Sequence, residues 1–124
     1  MKLLLDMHAA VWYLAADRRL GAEALNAIRS QSNQTLLSAV VVWEIAIKRA
    51  LGKLPVDHRY LQLLVDHGAR PLPISVDHAR GVENLPRHHT DPFDRLLVVQ
   101  ARAERATIVT QDPRIGAYGV PVLW

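Results

Sequence analysis

Short, wholly apolar runs alternate along the chain with longer segments whose apolar residues recur every three or four positions. The first run, residues 2–5, reads as a buried strand stopped by Asp6. Residues 7–16 follow as a helix with Val11, Leu14 and Ala15 on one face, and a second helix is predicted over 22–30 after the break at 17–21. The polar stretch 31–34 reads as a turn and 35–37 as a second strand. Ser38 is a good N-cap for a helix over 39–51, which Gly52 stops. A helix over 57–67, a strand over 71–75 and a short helix over 77–84 come next. Asp91-Pro92-Phe93-Asp94 then opens a helix with Asp at the N-cap, Pro at N1 and an acid at N3, and the spacing of Leu96, Leu97, Val99, Gln100 and Ala103 carries it to about 105. Strands over 107–110 and 121–123 close the pattern.

Short strands that are apolar on both sides and alternate with helices predict an α/β fold, a sandwich with a central parallel sheet flanked by helices. The length of 124 residues fits a single domain, 1–124. In such sheets, sites form beyond the carboxyl ends of the strands. Asp6 and Asp112 both sit just past one.

Composition narrows the picture only a little. Half the residues are hydrophobic and 22% are charged, as in ordinary soluble domains. The lack of cysteine excludes a disulfide framework and thiolate metal sites. Asp6 interrupts the opening leucines well short of the h-region of a signal peptide, and no stretch approaches the length of a membrane span, so a cytoplasmic location is expected. Fifteen Lys and Arg against twelve Asp and Glu give a net charge of +3, which suits a polyanionic partner if the acids are gathered in one place.

The acids carry the chemistry. Glu44 lies in Ala39-Val40-Val41-Val42-Trp43-Glu44-Ile45-Ala46-Ile47, an apolar surrounding that predicts a helix buried all round. A buried unpaired carboxylate costs several kcal/mol or becomes neutral. An ion pair with Lys48 one turn on is the plainer explanation, and a bound cation the more consequential one. Asp6 and Asp91 are each explained as well by helix capping, Asp112 by a turn before Pro113, and Asp94 by the dipole at a helix N-terminus. Taken together, Asp6, Glu44, Asp94 and Asp112 form a set of oxygen ligands that suits Mg²⁺ or Mn²⁺ and phosphodiester hydrolysis.

Four stretches resemble one family in order and spacing across essentially the whole chain. They are Leu-Leu-Leu-Asp-x-His-Ala-x-x-Trp, Ser-Ala-x-x-x-Trp-Glu-Ile-Ala-Ile-Lys, His-x-x-Asp-Pro-Phe-Asp-Arg-Leu-Leu and Val-Thr-x-Asp-Pro-Arg. The chain resembles PIN-domain proteins, in particular the VapC-type toxins of bacterial toxin–antitoxin systems. The resemblance implies a PIN-like three-layer α/β sandwich and a Mg²⁺- or Mn²⁺-dependent endoribonuclease. It carries metal-binding and catalytic roles to Asp6, Glu44, Asp94 and Asp112, with Asp91 as helix cap behind them. It also implies a homodimer neutralised by a small, VapB-like antitoxin whose C-terminal segment enters the active-site groove. Where these proteins usually have Thr or Ser after the first Asp, this chain has Met7, a weak acceptor in place of a hydroxyl. That departure puts catalytic rate in doubt.

Arg95 and Arg114 adjoin proposed ligands and are candidate phosphate contacts with RNA. His8, His88 and His89 invite a metal-independent acid–base reading, which adjacency in a loop does not favour. Trp12 and Trp43 read as core or dimer contacts rather than base-stacking platforms, with His8 and Trp12 lining one edge of the groove. Two other function classes compete with the nuclease. One is a catalytically weakened PIN protein that acts mainly through antitoxin binding. The other is a phosphoaspartyl enzyme with Asp6 as nucleophile, disfavoured because His8 stands where its second acid belongs.

Overall fold

A computed structural model describes all 124 residues. The leucines of β1 (Lys2–Leu5) are fully buried, as an apolar run in a central strand must be. After β1 come α1 (Met7–Leu14), α2 (Ala22–Arg29), β2 (Gln34–Ser38), α3 (Ala39–Ala50), α4 (Tyr60–Asp66), β3 (Arg70–Leu72) and α5 (Val76–Gly81). A 3₁₀ turn over Val82–Asn84 leads to α6 (Pro92–Glu104), β4 (Thr107–Val109), α7 (Pro113–Gly116) and β5 (Val122–Leu123). All strand pairings are parallel, and the sheet order is β3-β2-β1-β4-β5.

The chain therefore builds outward from β1 to β2 and β3, then returns to lay β4 and β5 on the other side. Right-handed crossovers running in opposite directions put their helices on opposite faces, which gives the three-layer sandwich. The order reverses between β1 and β4, where a crevice opens at the carboxyl ends of the strands. Register makes this concrete: Leu5 pairs with Val109, so Asp6 and Thr110 are the next residues out on neighbouring strands. The Asp6 N–H donates to the Val109 carbonyl at 3.2 Å, holding that edge closed.

Most elements match the sequence expectations to within a residue or two. Three differences have physical causes. The strand predicted over 71–75 shortens to Arg70–Leu72, where Pro73 follows without a donor to continue the ladder. The turn expected at Asp112 is a one-turn helix, α7, capped by Asp112 with Pro113 at N1. The third concerns α3, which is not buried all round. Val40, Val41, Glu44 and Ile45 face inward, whereas Trp43 is 56% exposed and Leu51 62%, with Ile47 between them. Apolar residues along the helix thus serve two faces, only one of which the fold itself covers.

Candidate active site

Each acid is placed by local backbone logic. Asp6 ends β1 and caps α1, its Oδ1 accepting the Ala9 N–H at 2.8 Å. Asp91 caps α6 by accepting from the N–H groups of Phe93 and Asp94, which sets Asp94 in the first turn. Asp112 caps α7 through the Arg114 N–H at 2.9 Å. Glu44 points inward from the middle of α3 and is 7% exposed. Ser38, which starts that helix, is itself fixed by a buried hydrogen bond to Gln100 of α6.

These placements bring Asp6, Glu44, Asp91, Asp94 and Asp112 to the wall of one open cavity of about 500 Å³, together with Met7, His8, Lys48 and Arg114. Capping and clustering are thus compatible, since a cap uses one carboxylate face and leaves the other to the cavity. The plainer explanation of Glu44 is also present: Lys48 Nζ lies 2.9 Å from its Oε2. The same ammonium stands 3.5 Å from Met7 Sδ. Met7 itself is 5% exposed, so it closes the floor of the site where a hydroxyl would have offered a polar contact.

The electrostatics are those of an acidic pocket short of positive charge. Burial, and then the charges of Asp91, Glu44, Asp6 and Asp112, push the Asp94 carboxyl up to about 7. Burial also raises Asp6 above the ordinary carboxylate range, against hydrogen bonds from Thr110 and the Ala9 N–H. Asp112 differs. Burial opposes its charge, but hydrogen bonds from the Arg114 side chain and backbone and from His89 outweigh it and hold the carboxyl low. Oxygen donors with no thiolate among them fit a hard divalent cation, whose charge would favour the ionised form of the Asp94 carboxyl that burial and its acidic neighbours push up.

Two sequence expectations change here. Arg95 does not face the cavity. Its guanidinium donates to the carbonyls of Val82, Leu85, Pro86 and His89 and to Tyr118 Oη, so it staples the 82–89 segment onto α6. Those donors are spent, and a phosphate contact is left to Arg114, whose side chain is 61% exposed at the cavity rim. The paired loop histidines also part company. His88 is exposed and packs edge-on against Tyr118, whereas His89 is 4% exposed with its Nε2 3.0 Å from both Asp94 Oδ2 and Asp112 Oδ2. The signal for Asp112 as a cap was legible, because Asp112-Pro113 repeats the Asp91-Pro92 pair. No local pattern marks His89.

The aromatic residues divide similarly. Trp12 is buried, its ring tilted against His8 at 5.0 Å between ring centroids and edge-on to Trp124. Only His8 of that pair reaches the cavity. Trp43 leans on Phe93 rather than entering the core.

Comparison with known proteins agrees with this architecture. The profile of the family described as PIN domain matches residues 3–120. Ribonuclease VapC22 of Mycobacterium tuberculosis is 31% identical over 124 residues, covering 96% of this chain and 93% of that protein. Ribonuclease VapC16 of the same organism is 43% identical over 67 residues, and there the match spans only 48% of the relative. Among solved structures, VapBC2 from Rickettsia felis, bound to a DNA fragment from its promoter, superposes with a TM-score of 0.71 at 16% identity, covering 100% of this chain and 98% of that one. That likeness speaks for the fold.

Proposed function

The chain belongs to the PIN-domain family, and from that premise we propose that it is a metal-dependent endoribonuclease, the toxin of a toxin–antitoxin pair. The observation that carries the reading is the convergence of Asp6, Glu44, Asp94 and Asp112 on one cavity at the sheet's switch point. With the Asp94 carboxyl raised to about 7, the cluster lacks the positive charge that would hold it ionised. Asp6, Glu44, Asp94 and Asp112 hold Mg²⁺ or Mn²⁺ in this reading, and Asp91 supports them as the cap of α6. The ion, when bound, supplies activation of a water and stabilisation of the leaving oxygen.

The chain's own residues do the rest. Arg114, at the exposed rim, meets the RNA phosphate and keeps Asp112 ionised through its paired hydrogen bonds. Lys48 offsets the charge of Glu44 beside it on α3, at the cavity wall. Five of the twelve acids line the cleft, so the net charge of +3 leaves the outer surface more basic than the total suggests, as suits an RNA strand. Homodimerisation is supported by the uncovered apolar stripe of Trp43 and Ile47 on α3 and Leu51 at its C-cap. An antitoxin partner is supported by the kinship with VapC proteins and by the shared fold of toxin–antitoxin complexes such as VapBC2. No helix is long and apolar enough to cross a membrane, and an RNA substrate is consistent with a cytoplasmic location.

The test is cleavage of structured RNA by the purified protein with Mn²⁺ or Mg²⁺, with and without chelator, beside Asp6→Asn and Asp94→Asn. Cleavage that needs metal and both aspartates is expected. Chelator-resistant cleavage that survives both substitutions would refute the mechanism. Metal binding without cleavage of any RNA would instead favour the weakened, antitoxin-binding reading that Met7 suggests.

A further inference from the structure

We infer that His89 is a positioning residue of this site, a neutral imidazole whose Nε2–H anchors the Asp112 carboxylate while its ring edge keeps Asp94 against the same nitrogen. His89, Asp94 and Asp112 form the tightest group of potential ligands in the molecule, their ligand atoms all within 4.8 Å of one another. Distance alone would make the imidazole a third metal ligand. The other face of the ring argues otherwise. The Asp91 N–H donates to His89 Nδ1 at 3.1 Å, so Nδ1 presents a lone pair and carries no proton. A neutral ring then has its proton on Nε2, which has no lone pair to give a metal. Nε2 donates to Asp112 Oδ2 at 3.0 Å, and Asp94 Oδ2 lies 3.0 Å from the same nitrogen, drawn to the positive edge of the ring.

Every other polar atom of His89 is also spoken for. Its N–H donates to Tyr118 Oη at 3.1 Å, and its carbonyl accepts from Arg95 at 3.3 Å. Arg95 reaches the same Tyr118 hydroxyl at 3.0 Å. The ring is therefore gripped at its backbone by α6 and the segment after α7, and at its edge by the cap residue of α6. A group so fixed serves two acids from different elements, one at the start of α6 and one at the start of α7. Asp91 gains a second duty: its carboxylate caps the helix while its N–H sets the tautomer of His89.

This role rests on the metal-dependent reading above, since its purpose is to keep two ligands converged before and during ion binding. Outer partners of metal ligands commonly govern affinity by about 10–100-fold. The decisive measurements are ring ¹⁵N chemical shifts of His89 in metal-free wild-type protein and Mn²⁺ affinity by calorimetry for wild type, His89→Ala and His89→Gln. We expect an unprotonated Nδ1, a protonated Nε2, an affinity loss of about 10–100-fold in His89→Ala and recovery in His89→Gln, whose Nε2–H can take the same place. A ring protonated at Nδ1, or His89→Ala binding Mn²⁺ as tightly as wild type, overturns the assignment. Should His89→Ala not fold, His89→Gln decides: wild-type affinity supports the role and its loss refutes it. A wild type that passes these tests yet cleaves no RNA refutes the nuclease reading and leaves His89's role standing; one that cleaves RNA yet fails them does the reverse.

Discussion

Removing the charge of Asp94 while keeping its shape, as Asp94→Asn does, separates the cost of the carboxylate cluster from its use. In the folded, metal-free protein the Asp94 carboxyl sits at about 7 against an ordinary value of 3.8. At about 1.4 kcal/mol for each tenfold change, the ionised group is disfavoured by roughly 4 kcal/mol relative to the unfolded chain. An acid raised on folding keeps its proton longer in the native state, so metal-free stability is greatest below pH 4 and falls as pH climbs through the window from 3.8 to about 7. About 2.5 kcal/mol of the cost develops between pH 5 and pH 8. The side chain keeps 21% of its exposure, and solvent screening brings the expected figure to about 1.5–2.5 kcal/mol. Urea unfolding in the presence of chelator at pH 5, 6, 7 and 8 measures it. Asp94→Asn should gain on wild type as pH rises to about 7 and level off above it, by a midpoint difference of about 1 M across the range. Saturating Mn²⁺ should reverse the order, adding about 2.7 kcal/mol to wild type at a hundredfold excess over Kd and little to the variant. A stability gap that stays constant from pH 5 to pH 8 would refute the idea that the cluster is strained by its own charge.

Four further outcomes follow from the geometry. Mn²⁺ affinity of wild type should rise about tenfold per unit of pH as pH increases towards 7 and level off above it, because binding displaces the Asp94 proton, and calorimetry in buffers of different ionisation enthalpy should show that proton released. Arg95→Ala should lower stability by about 2–3 kcal/mol in thermal unfolding through the carbonyls and hydroxyl it leaves unserved. Met7→Thr should raise the cleavage rate by restoring a hydroxyl beside Asp6 while costing about 2 kcal/mol for the volume lost from a buried position; a slower variant would show that the thioether is no handicap. Gly21→Ala should cost about 1–3 kcal/mol and alter tryptophan fluorescence, because a Cβ there would stand 2.7 Å from the Trp124 carbonyl carbon and displace the ring packed on Trp12.

Much of this protein was written locally, and those parts were legible. Apolar runs fixed β1 and β4, Ser38 and Gly52 bounded α3, and Asp91-Pro92 opened α6, because strand burial and helix capping depend on neighbours a few residues apart. That these four acids could share one cavity was legible because residue type and position relative to strand ends already restrict what a carboxylate does there. Tertiary structure decided the rest. Whether Trp43 was core or surface depended on which side of α3 the sheet covered, and the apolar pattern was too broad to say. Whether Arg95 met RNA or its own loop depended on where residues 82–89 fold back. His89 became part of the site only when α6 and α7 brought Asp94 and Asp112 to its one ring nitrogen. Sequence by itself determined the elements and supplied the carboxylates, because these follow from local chemistry. Only the packing of distant segments decided which groups answer their charge, since that is a matter of distances no spacing along the chain contains.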